Sequence, residues 1–180
     1  MADTDTGAPP KVVLVSASVL VVALAVAVAV FALTRPDTDA GTGPDGPLPL
    51  VAVPAPQADT PGCAGLLGAA PATLTSNGEQ LDRRPLADPA PKATAAWGTD
   101  DPVVLRCGLD RPAELTSTAQ LRVINGVQWL QVSQDSAATW YVVDREVYVA
   151  LTVPASAGTG PLQTVSDVVS AKLPVRPLKF

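Results

Sequence analysis

"LRVINGVQWLQV", Leu121 to Val132, carries the strongest local signal in the chain. Asn125-Gly126 separates two runs rich in β-branched and aromatic residues. Both central positions of a type I′ turn need positive φ, which Asn and Gly adopt most readily, and the twist of that turn suits a two-residue hairpin. So short a loop leaves the register no freedom. It pairs Ile124 with Val127, Val123 with Gln128, Arg122 with Trp129, and Leu121 with Leu130. One face then carries Leu121, Val123, Leu130 and Val132 and is expected to be the core face. The other carries Arg122, Ile124, Val127 and Trp129, and sets a guanidinium across from an indole as a cation–π pair.

Downstream, "TWYVVDREVYVALTV" reads as a second hairpin turning at Asp144 to Glu146, with Asp144-Arg145-Glu146 as a tip holding a surface ion pair. Val147, Val149, Leu151 and Val153 recur at period two and line its core face, leaving Tyr148 and Thr152 outward. "GPLQTVSDVVSAKLP" fits a helix from Pro161 to Lys172. Leu162, Val165, Val169 and Leu173 form its apolar stripe, and Pro174 ends it.

Upstream, "VVLRC" places Val103, Leu105 and Cys107 on one face of a strand, with Val104 and Arg106 on the other. Thr60-Pro61 is an N-cap followed by proline in the first turn. Cys63, Leu66, Leu67 and Ala70 then share one face of a short helix that Pro71 stops. These elements make an α+β domain: a small antiparallel sheet of two hairpins plus a Cys-bearing strand, covered on one face by a short N-terminal and a C-terminal helix. Cys63 and Cys107 point from apolar faces toward one interior. A disulfide between them would close a loop of roughly 45 residues, worth about 4 kcal/mol in the chain-entropy picture. Two unpaired core thiols are the alternative, since free cysteine packs as a small hydrophobe.

The N-terminal part weighs on that choice. Val12 to Leu33, "VVLVSASVLVVALAVAVAVFAL", has 22 residues and no charge. As a helix it would span about 33 Å, close to a bilayer's hydrocarbon core of about 30 Å. It is longer than the apolar region of a cleaved signal peptide, so an uncleaved anchor is expected, with the bilayer as its partner. One basic residue flanks each side, Lys11 and Arg35, so charge does not set the orientation. The bulk of the chain follows the anchor, and export of that bulk favours the disulfide. The organisation is then a short cytoplasmic tail (1–11), a transmembrane anchor (12–33), a Pro/Gly-rich linker (34–61) and an extracytoplasmic domain (62–180). The linker holds Pro36, Pro44, Pro47, Pro49, Pro54, Pro56 and Pro61 and reads as an extended, semi-rigid spacer.

Composition excludes several chemistries. The chain carries 12 Lys+Arg against 17 Asp+Glu, and no histidine. Without a basic stripe a nucleic-acid partner is not expected. Without histidine, two cysteines cannot close an ordinary zinc site, so neither metal nor cofactor is expected. G-x-S-x-G and G-x-x-x-x-G-K motifs are absent.

"CAGLL", "AAWG", "VLRCG", "INGVQW", "DREVYV" and "VSDVVSAKLP" together resemble a family of single-pass actinobacterial membrane proteins, the domain of unknown function 3515. Ile124 and Glu146 stand where that family more often has Val and Pro. The resemblance implies a membrane-anchored envelope protein and carries no activity with it.

Two functions from different classes follow. The first is a non-catalytic module that binds an envelope protein or cell-wall glycan through outward aromatic and basic side chains, with Trp129, Arg122, Tyr148 and Trp97 as the candidate surface. An accessory subunit held through its anchor helix is a variant of it. The alternative is a carboxylate-based hydrolase of envelope polymers, with Asp100, Asp101, Glu114, Asp144 and Glu146 as candidates for a paired acid and base.

Overall fold

The computed structural model describes Leu24 and residues 46–180. The anchor expected at 12–33 lies outside the described residues, Leu24 apart, as do the expected tail and the first part of the linker. Among the described residues, no helix is long and apolar enough to cross a membrane.

The architecture is α+β. In chain order, helix α1 (Pro61–Ala69) is followed by β1 (Thr73–Ser76), β2 (Glu79–Arg84), β3 (Thr94–Trp97), β4 (Val103–Leu109), β5 (Leu121–Ile124), β6 (Val127–Ser133), β7 (Ala137–Val142), β8 (Tyr148–Pro154) and helix α2 (Gly160–Lys172). The strands form one eight-stranded antiparallel sheet in the order β1-β2-β3-β4-β8-β7-β6-β5. Two four-stranded meanders thus meet at the β4–β8 pair. The chain leaves β4 at the centre and re-enters at the far edge.

The hairpin at Asn125-Gly126 has the expected register, Leu121 with Leu130 through Ile124 with Val127. Asn125 and Gly126 both take positive φ, as a type I′ turn requires. The second hairpin pairs Val142 with Val149 and Ala137 with Pro154. Its core face, Val147, Val149, Leu151 and Val153, is buried. So are Leu162, Val165, Val169 and Leu173 on α2. Thr60 caps α1, its side chain accepting from the Cys63 amide at 3.4 Å. Cys63 and Cys107 are disulfide-bonded and fully buried, with Cα atoms 5.6 Å apart.

Three readings are corrected. The core face of the first hairpin is the opposite one: Val127 and Trp129 are wholly buried in the main core, whereas Val123 is 71% exposed. Both faces of that hairpin are apolar, and α2 covers the Trp129 side. The indole Nε1 of Trp129 donates to Ser166 Oγ on α2 at 2.9 Å. Second, the sheet is larger than two hairpins and a strand, because β1, β2 and β3 extend it. Asn77-Gly78 forms another positive-φ turn, between β1 and β2.

Third, the spacer does not run free to Pro61. The Leu48 amide donates to the Pro85 carbonyl, the Ala87 amide to the Leu48 carbonyl, and the Gln57 amide to the Gly108 carbonyl. Proline lacks only its own donor, so the amides between prolines remain free to dock. Residues 49–56 form a strap held at both ends. Its C-terminal anchor needs Gly108, which has φ of +84° in a bulge of β4, where a Cβ would collide with the Gln57–Ala58 peptide. Gly108→Ala is therefore expected to destabilise the domain by about 2 kcal/mol or more, read as a lower urea midpoint. Residues 49–56 of this variant should also become the first site of proteolysis.

Candidate functional site

The expected surface residues are not gathered on one surface. Trp129 and Trp97 are both fully buried, Trp97 Nε1 donating to the Pro71 carbonyl at 2.9 Å. Arg122 lies opposite Trp129 in register, but its guanidinium sits over the Trp140 ring, 5.8 Å from the centroid. The buried Trp129 offers it no face, and the diagonal ring does. Tyr148 is half-buried in a second apolar cluster on the opposite face of the sheet.

The candidate carboxylates are dispersed too. Asp100 and Asp101 are exposed in the β3–β4 loop, and Glu114 lies in the long β4–β5 connection. Glu146 lies over Gly62 in the first turn of α1, where a Cβ would meet its Oε1 at 2.6 Å. Asp144 is buried with a cation as partner: Oδ2 is 2.7 Å from Arg145 Nη1. The surface ion pair expected at this tip is thus an interior one. The C-terminal segment covers it, the Arg176 amide donating to the Asp144 carbonyl. Arg145 Nη2 also donates to the Gly126 carbonyl, so the pair joins the turns of both hairpins. Removing one member would leave a buried, uncompensated charge. Asp144→Ala is expected to cost about 3–5 kcal/mol in urea unfolding, and the double change Asp144→Leu, Arg145→Met to recover most of it.

The site that remains lies on the sheet face away from the helices. Cross-strand pairing aligns Leu121, Leu130, Tyr141, Ala150, Arg106 and Thr94 in one row across β5-β6-β7-β8-β4-β3. At the β5 end, Leu115 and Leu178 cover the row and make the second apolar cluster. Further along, Ala150 carries only a methyl group between Tyr141 and Arg106. The strands bearing those two residues are about 10 Å apart, so a groove opens over Ala150. Its volume is about 410 Å³. Thr139 and Thr152, joined hydroxyl to hydroxyl at 3.1 Å, line one side, and Val53, Pro54, Leu109, Asp110 and Pro112 line the rest. A smaller groove of about 200 Å³ adjoins it and shares Val53, Leu109 and Arg106.

Arg106 is the unusual group. Its Nη1 is shut off from solvent and has no hydrogen-bond partner, which holds also of Asp144 Oδ1 and Arg145 Nε, but those two groups are paired with each other. Burial lowers the pKa of the guanidinium, with no acid acting in the other direction. Arginine nevertheless keeps its charge in proteins, so a cation stands here without a counter-ion among the described residues. Burial, and then the charge of Glu114, raise the pKa of Tyr141, so its hydroxyl stays protonated as a donor. A second groove of about 430 Å³ beside β2 contains Arg83 and Arg84, but both are engaged. Arg83 donates to the Ala70 carbonyl and lies over Trp97, while Arg84 donates to the Gly46 and Thr99 carbonyls.

Sequence reading placed Arg106 on the face opposite Cys107 without singling it out. The available signal was a lone charge in an otherwise apolar strand. An unpartnered buried donor weakens the fold, commonly by about 1–3 kcal/mol. Arg106→Met, which keeps the aliphatic stem, is therefore expected to leave stability unchanged or raise it by up to about 1 kcal/mol, read by thermal unfolding.

No curated protein and no solved structure matches the chain. The family model described as "Protein of unknown function (DUF3515)" matches residues 18–178, a span that takes in α1, α2, β1 to β8 and the Arg106 groove, and the chain belongs to that family.

Proposed function

We propose that this protein is a non-catalytic binding or accessory module of the cell envelope. It is held in the membrane by residues 12–33, with its N-terminus cytoplasmic and its folded domain outside. It meets its ligand or partner on the sheet face around Arg106. The observation that carries the reading is the Cys63–Cys107 disulfide, fully buried at the joint of α1 and β4. Disulfides of this structural kind form and persist in oxidising compartments and are rare in the cytosol. The uncharged run from Val12 to Leu33 supplies an export route consistent with it. The open groove, with its unpaired cation, supports binding as the task of the exposed face. The carboxylate-based alternative has less support, because Asp144 is neutralised by Arg145 and the other candidates stand apart.

Two thiol measurements test the reading. Cells are acid-quenched and alkylated under denaturing conditions with a maleimide large enough to retard the protein on a gel. The expected result is no label before reduction and two labels after it. Separately, an exposed reporter cysteine introduced by Asp135→Cys should react with a membrane-impermeant maleimide in intact cells. Two free native thiols in quenched cells, or a reporter that reacts only after lysis, would overturn the extracytoplasmic assignment.

A further inference from the structure

We infer that the groove at Arg106 binds a monocarboxylate with an apolar body, the guanidinium being the group that recognises the carboxylate. This rests on the reading of the uncovered sheet face as the ligand face. Two of the groups that converge there, Arg106 and Tyr141, present donors, beside the paired hydroxyls of Thr139 and Thr152 and the carboxylate of Asp110. Arginine has only N–H groups to offer; Nη1 of Arg106 is closed off without an acceptor, and the groove meets the rest of the guanidinium. Across the methyl of Ala150 stands the neutral hydroxyl of Tyr141. The uncompensated cation calls for an occupant that brings acceptors, and a carboxylate matches the fork of a guanidinium with two parallel hydrogen bonds.

The count of charges selects a monoanion. A phosphate dianion calls for more than one cation. The other cation nearby, Lys92 in the adjoining groove, is bound to Asp59 at 2.8 Å. Asp110 lines the main groove and Glu114 acts on Tyr141, and their repulsion grows with the charge of the occupant, so it weighs more on a dianion than on a monoanion. Much of the remaining wall is apolar, Val53 and Pro54 of the strap with Leu109, Pro112 and Ala150. They suit an aliphatic or aromatic body, and a volume of about 410 Å³ lies within the usual range of small-molecule sites.

The test is calorimetric titration of the full chain, solubilised in a neutral detergent, with N-acetyl-leucine, its primary amide N-acetyl-leucinamide, and inorganic phosphate. The acid should bind saturably, the amide at least about tenfold more weakly, and phosphate should not compete. Arg106→Gln should weaken the acid at least about tenfold and leave the amide unchanged, with its thermal unfolding confirming an intact fold. Arg106→Lys should restore part of the affinity, because a point charge replaces the fork. Equal binding of acid and amide would overturn the carboxylate and leave the ligand face standing. Binding of neither, or binding of the acid that Arg106→Gln does not weaken, would overturn the site.

Discussion

Cys107 stands at the one seam where the two halves of the sheet join. It pairs with Val149 across the β4–β8 ladder and is bonded through its sulfur to Cys63 on α1. Each meander by itself is local in sequence, and each needs a partner surface to bury its apolar face. The β4–β8 pair brings the halves together over the long connection from β4 to β5, a closure that opposes folding entropically. The disulfide offsets part of that cost by tying helix α1 to the strand that contacts the second meander. One residue further on, Gly108 breaks the ladder with a bulge, and its carbonyl receives the strap at Gln57. Seam, helical cover and strap are therefore set by two consecutive positions of β4.

The two faces of the sheet show why some of this fold could be read from sequence and some could not. A two-residue turn at Asn125-Gly126 determines which residues oppose each other, and that pairing was legible to the residue. It does not determine which side meets the core. Leu121, Val123, Leu130 and Val132 on one side are as apolar as Ile124, Val127 and Trp129 on the other. The choice was made by α2, whose Ser166 meets the Trp129 indole from 37 positions away. The other side is covered at its end by Leu115 and Leu178, from two segments without regular structure. The first hairpin of the sheet was missed for a related reason. Asn77-Gly78 is the same turn signal, but β2 is Glu-Gln-Leu-Asp-Arg-Arg and lies largely exposed, so no hydrophobic alternation flags it.

The candidate site was legible only in its parts. Period two in "VVLRC" put Arg106 opposite Cys107, which the structure bears out. That Arg106 faces Tyr141 over Ala150 depends on β4, β8 and β7 lying side by side, a relation between segments more than thirty residues apart. The aromatic residues that composition put forward, Trp97 and Trp129, serve the core instead. Their rings bury much area, and their single N–H groups each find one internal acceptor. The charged motif at Asp144-Arg145 misled in a similar way. A charge pair at a hairpin tip is ordinarily solvated, but here the C-terminal segment closes over it.

Arg145 and Arg106 each have guanidinium nitrogens closed off from water, and they differ in a way that bears on function. Arg145 has a carboxylate at 2.7 Å and two backbone carbonyls, so its charge is compensated where it stands. Its role is explained by what it holds together, the turns of both hairpins and the C-terminal segment. Arg106 is compensated by nothing of the kind, although Asp110 lines the same groove and Thr139 and Thr152 hydroxyls are spent on each other. A folding requirement accounts for the first arrangement and not for the second, since an apolar residue in the same row would cost the fold less. Positions that weaken a fold without stabilising anything else in it are where function is to be sought. In this domain that position is the centre of β4, one residue from the disulfide that holds the sheet together. The cation is thereby mounted on a strand held by the disulfide, with a proline-rich strap, itself held at both ends, as one wall of its groove.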